Sequence, residues 1–401
     1  MSLFKEKKPN MDWAMFLSII PLLGAGLVTM HSFLSTEGVF GNVFFERQIV
    51  WIFIGLLVFW GASLIDWRFL RKTWVSVFLF LISTALLLAL LLFGEVAKGA
   101  ASWFDFGGFS FQPSDPIKIF LIIILAKYFS RRHVEIANFR HILVSGFYAG
   151  VIFLLVFLQP DFGSAIIIFM IWFGMVLVSG LSKKHFLLVL LSAILVFGLL
   201  WSFILAPYQK TRILTFLNPL TDAGGAGYNA LQSTIAVGSG GVIGKGVGYG
   251  TQSRLEFLPE YETDFIFAAY SEEWGFVGVM MLFFLFEILF RRILLNSMRG
   301  AGNFEILFGL GVAIYFMSHF VIHVGMNIGL LPVTGTTIPF LSYGGSHLLT
   351  EFLALGILMG MRRYGKAYHK DDTKNEFLGL EKTIPRPEAA RPLPDGIRSL
   401  S

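Results

Sequence analysis

The sequence predicts an all-α polytopic membrane protein, and three observations carry that reading. Hydrophobic residues make up 55% of the 401 residues and charged residues only 14%, whereas a soluble globular chain carries about 25% charged residues. Mean hydropathy is +0.72, and the apolar residues fall in runs long enough to cross a bilayer. The 44 Phe and 9 Trp suit lipid-facing helices with aromatic residues near the interfaces. Cysteine is absent, which excludes disulfides and thiolate metal sites.

A helix needs roughly 20 mainly apolar residues to cross the hydrocarbon core. Segments 13–34, 48–65, 73–93, 114–130, 142–159, 162–180, 186–205, 264–290, 305–328 and 347–361 meet that requirement, predicting ten transmembrane helices. The start, Met1 to Asp12, is short and basic with no small-residue cleavage pattern, so the first segment is expected to be a retained signal-anchor. Lys and Arg orient the bundle. Of 31 such residues, all but Arg47, Lys98, Lys118, Lys210, Arg212, Lys245 and Arg254 fall on one side, so the positive-inside rule puts both termini in the cytoplasm. The +5 net charge therefore reflects topology and does not point to nucleic acid. Residues 1–364 read as one membrane domain with a long extracytoplasmic loop at 206–262, between the seventh and eighth helices. Residues 365–401, rich in charge and proline, read as a disordered cytoplasmic tail.

The unusual sequence lies in the outer loops. In 94–115, Ser114 or Asp115 caps the fourth helix, with Pro116 in its first turn. Lys118 follows Asp115 at a three-residue spacing, either as a local ion pair or, because ionisable groups inside a membrane face cavities, as a substrate contact. Gln159-Pro160-Asp161 joins two spans, and its plainest reading is a turn whose Asp caps the next helix. Within 206–262, residues 229–237 form a candidate amphipathic surface helix. Residues 238–250 are a glycine run around Lys245 that fails the phosphate-loop pattern. Its amides can still cradle a phosphate, or it is a flexible turn.

Asp264 sits where a polar, acidic loop becomes a hydrophobic segment, a position that serves either a helix cap or chemistry at the membrane edge. Between the last two spans, 327–346 is broken, proline-containing and apolar. Such backbone is tolerated at membrane depth only where it is buried or lines a cavity, which makes it a wall of the outer site. His319 and His323 have a spacing that would allow one metal to be bridged, but no third ligand is near in sequence, so packing or hydrogen bonding is the simpler reading.

Taken together these segments resemble the SEDS family (shape, elongation, division and sporulation), most closely its RodA branch. The resemblance rests on Phe111-Gln-Pro-Ser114 with Lys118, Gln159-Pro-Asp161, Asn218-Pro219, Gly227-Tyr228, Gln232-Ser233, Ala236 to Gly241, Gly244-Lys-Gly246, Thr251-Gln-Ser253, Phe257-Leu-Pro-Glu260, Thr263 to Ala268, Glu272-Glu273, and Pro339 with Ser342-Tyr-Gly-Gly-Ser346. It implies a glycosyltransferase of the bacterial cytoplasmic membrane that polymerises lipid II on the outer face for elongation and rod shape. The implied reaction inverts the anomeric centre and releases undecaprenyl pyrophosphate. Implied partners are a class B penicillin-binding protein, the undecaprenyl-linked glycan, the elongation machinery and membrane lipids. The family's essential aspartate falls on Asp264, its acidic–Lys pair on Asp115 and Lys118, and its second-span arginine on Arg47. Two positions depart: the family usually has Glu at 115 and Arg at 102, where this chain has Asp and Ser.

On this reading Asp264 is the general base, because a hydroxyl nucleophile needs its proton taken as the new bond forms. Lys118, Arg47, Arg212 and Lys245 are expected to contact the pyrophosphate or lipid carrier. Asp161, Glu260, Ser342 and Ser346 line the site, and Glu260, Glu262 and Glu273 are fallback carboxylates. A divalent cation on the pyrophosphate is allowed, but no ligand set is legible. Rival readings are a lipid II flippase, which would place charged groups down the depth of the bundle, and a non-catalytic scaffold for its partner.

Overall fold

A computed structural model describes residues 11–32, 43–97, 100–105, 110–130, 139–180, 183–204, 207–219, 225–255 and 257–363. The first ten residues, Lys98 and the expected tail lie outside them. Each apolar segment named above is helical: α1 (Trp13–Ser32), α2 (Val43–Leu64), α3 (Thr73–Phe93), α4 (Ser114–Ser130), α5 (Phe139–Leu158), α6 (Phe162–Val178) and α7 (Lys183–Leu199). In the expected 206–262 loop come α8 (Pro207–Leu217), α9 (Ala226–Ser239) and the short α10 (Thr251–Arg254). Then follow α11 (Ile266–Ser297), α12 (Asn303–Asn327) and a last helix, α13, over 345–363. Among the described residues, α1, α2, α3, α5 and α12 are long and apolar enough to cross a membrane.

Position in the bundle follows from composition. Helix α4, mostly apolar between its terminal charged residues, is buried on nearly every residue, so it belongs to the core, where it packs against α12, α3 and α6. Helices α2, α3 and α7 instead present Phe53, Trp74, Leu81, Leu92, Leu191 and Leu195 outward, as lipid-facing helices do.

Two segments differ from the sequence expectation. The 94–115 connection carries a small antiparallel sheet, β1 (Glu95–Ala97), β2 (Ala100–Asp105) and β3 (Ser110–Phe111), with Phe104 opposite Phe111. The expected single span 264–290 is broken at Gly275, whose φ of 63° and ψ of −166° interrupt α11. The freed backbone there is taken up by the glycine run. Phe276 and Val277 N–H groups bond to Gly241 and Val242 carbonyls, and Lys245 and Gly246 N–H groups bond to Glu272 and Glu273 carbonyls. The glycines allow this close approach, since a Cβ on Gly275 would strike the backbone of Gly244 and one on Gly244 would strike that of Glu273.

Helix ends sort into two sets. At one end Asp12 meets Arg362 at 3.3 Å and Arg292 at 3.9 Å, and Arg71 meets Glu305 at 2.6 Å. These groups come from segments the cation distribution assigns to one side. Segments assigned to the other side gather Asp115, Asp161, Asp264 and 331–346.

Gly275→Ala is expected to cost at least ~2 kcal/mol, because the new Cβ both occupies a glycine-only conformation and strikes backbone. Gly150→Ala, on an open face of α5 with nothing within 4 Å, should be neutral or slightly stabilising. Thermal unfolding in detergent distinguishes the two.

Candidate active site

The segment 331–344 runs between α12 and α13 without helical hydrogen bonds of its own for most of its length. Its polar backbone is satisfied mainly by side chains of surrounding helices. His323 Nδ1 lies 2.6 Å from the Thr336 carbonyl and His319 Nδ1 lies 3.1 Å from that of Thr337. A carbonyl only accepts, so both rings carry their hydrogen on Nδ1. Glu351 accepts the Phe340 N–H at 3.0 Å, and the Gln48 side chain donates to the Ser342 carbonyl at 3.2 Å. Ser342 Oγ accepts the Ile338 N–H at 3.0 Å and donates to the Thr263 carbonyl at 2.9 Å. The Nδ1 atoms of His319 and His323 thus support backbone, in line with the hydrogen-bonding reading. No group of three or more His, Asp or Glu side chains among the described residues is arranged to hold a metal ion.

On one side of this segment stands Asp264. The turn before it centres on Glu260 (φ 53°), whose carbonyl accepts the N–H groups of Thr263, Asp264 and Phe265. The cap position of α11 is Phe265, which contributes no side-chain hydrogen bond, so Asp264 stands outside the cap. Its carboxyl group is half-buried and faces Gly335: a Cβ there would lie 3.5 Å from Asp264 Oδ2. Gly335 has φ 73° and is exposed, a conformation and position that suit a glycine beside the carboxylate.

On the other side lies a buried charged cluster. Lys118 Nζ donates to Asp115 Oδ1 at 3.0 Å, with both side chains at most 3% exposed. Asp115 falls in the first turn of α4 rather than at its cap. His347 Nδ1 lies 3.6 Å from Asp115 Oδ1, and its Nε2 lies 2.9 Å from Glu351 Oε1. The His319 ring packs against that of His347, with centroids 4.6 Å apart, and Tyr315 packs against His319 at 4.8 Å. Tyr315 is midway along α12, so the cluster reaches well into the bundle. The charged members, Asp115, Lys118, His347 and Glu351, all lie in the first two turns of α4 and α13, and the aromatic rings of His319 and Tyr315 carry the packing deeper along α12.

Ser346 Oγ donates to the Gln112 carbonyl at 3.2 Å, and Gln112 Nε2 donates to Asp161 Oδ2 at 2.9 Å. Asp161 caps α6 through the Ser164 N–H at 2.9 Å. Gly163 lets this corner close on Thr334, since a Cβ would come within 2.7 Å of its carbonyl. Three further expected contacts come from other elements. Arg47 is exposed on the first turn of α2, one residue before Gln48. Arg212 lines an apolar cleft of about 240 Å³ between α8, α9 and 328–333. Lys245 donates to Glu272 at 2.6 Å, and the same carboxylate accepts the Thr251 and Gln252 N–H groups. Gln48, His347 and Glu351 are not legible as site residues from the sequence, and Asn327 and Gly335 are legible only as part of the 327–346 wall.

A half-buried carboxylate and a buried ionic cluster, on either side of broken backbone in an apolar helical bundle, define a polytopic membrane protein with an intramembrane polar site. The family model described as cell cycle protein, FtsW/RodA/SpoVE, matches residues 11–367. Stage V sporulation protein E of Bacillus subtilis (strain 168) is 36% identical over 376 residues, covering 90% of this chain and 99% of that one. Peptidoglycan glycosyltransferase MrdB of Escherichia coli (strain K12) is 36% identical over 327 residues, covering 81% and 87%. Probable peptidoglycan glycosyltransferase FtsW of Pseudoalteromonas translucida (strain TAC 125) is 33% identical over 361 residues, covering 87% and 88%. Among solved structures, a chain from work on the structural coordination of polymerization and crosslinking by a peptidoglycan synthase complex matches with TM-score 0.75 and 28% identity, over 89% of this chain and 98% of that one. The crystal structure of Thermus thermophilus rod shape determining protein RodA matches with TM-score 0.66 and 27% identity, over 88% and 97%. The chain belongs to the SEDS family, that of FtsW, RodA and SpoVE.

Lys118→Met leaves the Asp115 carboxylate buried without its lysine and is expected to cost ~3–5 kcal/mol. Adding Asp115→Asn should recover much of that loss, read as the unfolding midpoints of the single and double variants.

Proposed function

We propose that this protein is a peptidoglycan glycosyltransferase that polymerises lipid II, with Asp264 as general base. The observation that carries the reading is the half-buried Asp264 carboxyl group, outside its helix cap and beside the exposed Gly335. An acceptor sugar hydroxyl there attacks the anomeric carbon of a second lipid-linked disaccharide. Its proton passes to Asp264 as the new C–O bond forms, and the bond to the pyrophosphate breaks with inversion, releasing undecaprenyl pyrophosphate. Arg47 and Arg212 serve as contacts for the developing negative charge. Asp115 and Lys118, with Asp161, Ser342 and Ser346, hold the wall opposite. Lys245, paired with Glu272, acts in holding the break in α11 rather than on the phosphate, and Glu260 in shaping the turn before Asp264.

Thr251-Gln-Ser253 with Phe257-Leu-Pro-Glu260 favours the RodA branch, hence elongation and rod shape, although FtsW, SpoVE and MrdB are all similar to this chain. A class B penicillin-binding protein is the partner this reading names. The likeness to a chain of a synthase complex that couples polymerization and crosslinking supports it. The cation distribution supports a cytoplasmic-membrane location with the site facing outward.

A second reading, lipid II translocation, draws on the burial of Asp115, Lys118, His347 and Glu351 among the helices. One assay decides between them. Purified protein given lipid II should form glycan strands, and Asp264→Asn should lower the rate by ~10²-fold or more. Undiminished polymer from Asp264→Asn would remove Asp264 from the base role. Movement of labelled lipid across vesicles without any polymer would favour translocation.

A further inference from the structure

The residue that holds Asp264 in place lies on another helix, and nothing in the assignments above gives it a role. Asn327, the last residue of α12, is fully buried. Its Nδ2 donates to the main-chain carbonyl of Asp264 at 3.0 Å and to that of His323 at 2.8 Å. Its Oδ1 accepts the Ala268 N–H at 3.3 Å and, at 3.2 Å, shares the Ser233 hydroxyl with the Asn327 main-chain carbonyl, which lies at 2.9 Å. One carboxamide therefore ties the entry of α11, the end of α12 and the middle of α9, using both its donors and its acceptor. No other side chain of that size offers the same set.

Pinning the Asp264 carbonyl fixes the peptide plane that follows it, and so the direction in which its Cα–Cβ bond points. The same last turn of α12 fixes the facing wall, because His323 holds the Thr336 carbonyl, one residue beyond Gly335. Both sides of the gap between the Asp264 carboxyl group and Gly335 are thus set from residues 323–327. We infer that Asn327 is a positioning residue for Asp264: it sets the carboxyl group's place relative to the substrate hydroxyl without touching substrate. This rests on Asp264 being the base.

The test uses the full chain, together with its crosslinking partner if activity requires it, and lipid II as substrate. It reads kcat per folded molecule, KM, the pH–rate profile and the melting temperature. Asn327→Leu, which keeps the volume but removes both hydrogen-bonding functions, should lower kcat by ~10- to 100-fold, as a small misplacement of a reacting group does. KM should stay within about two-fold, and the acidic limb of the kcat profile should move, because the carboxyl group's surroundings change. Ser233→Ala removes the one hydroxyl shared between the main-chain carbonyl and the side chain of Asn327 and should lower kcat by ~3- to 10-fold with the same split; it decides the matter if Asn327→Leu does not fold. Asn296→Leu, at an equally buried asparagine near the far end of α11, should lower the melting temperature and leave kcat per folded molecule unchanged. If Asp264→Asn is inactive while both Asn327→Leu and Ser233→Ala keep wild-type kcat, the positioning role is overturned and the base assignment stands. If Asp264→Asn polymerises like wild type, the base assignment falls and the positioning role falls with it.

Discussion

The structure depends on a stretch of backbone that cannot satisfy itself. Between α12 and α13 the chain runs extended through an apolar bundle, where each unpaired N–H or C=O costs several kcal/mol. The solution is a collar of side chains: Gln48 from α2, His319 and His323 from α12, Glu351 from α13, and Ser342 from the segment itself. Every buried polar residue in that collar is there because the segment is not helical. The segment in turn gives α11, α4 and α6 a common surface, and so Asp264, Asp115 and Asp161 come to border one wall.

Charge is organised by the same logic at both ends of the bundle. Asp12 answers Arg362 and Arg292, and Glu305 answers Arg71, where helix ends converge. Toward the candidate site the Asp115–Lys118 pair is extended by His347 and Glu351. Buried ions are tolerated when each has a partner at close range, and Asp12 with Arg292 and Arg362, Arg71 with Glu305, and Asp115 with His347 make such contacts between segments. The ionic contacts therefore also fix which helices lie beside one another.

Much of this was readable in advance, and the unread part has a common cause. Apolar runs predicted every long helix, three-residue spacing predicted the Asp115–Lys118 pair, and turn chemistry predicted Asp161 as a cap. Those signals are local. Gln48 to Ser342, Ser233 to Asn327, and Asp115 to His347 are contacts between residues hundreds or scores of positions apart, and nothing in either partner's neighbourhood announces the other. The break in α11 was missed because one glycine in an apolar run is compatible with an uninterrupted helix. The sheet at 95–111 is not legible because β1 and β3 are only two or three residues long and β2, Ala-Ala-Ser-Trp-Phe-Asp, does not alternate apolar with polar residues. The spacing of His319 and His323 was read correctly, but what they hold is backbone from a segment the spacing does not see.

The interlock of Gly244 and Gly275 carries a lesson for comparing this chain with its relatives. Each position excludes every larger side chain because the other's main chain, or that of the adjoining turn, fills the space. Neither can drift alone, and neither can be rescued by trimming a neighbouring residue, since what blocks it is peptide common to all sequences. Invariance there across relatives would record a steric prohibition rather than a share in the chemistry. A ranking of residues by constancy would place these two glycines beside Asp264 for a wholly different reason.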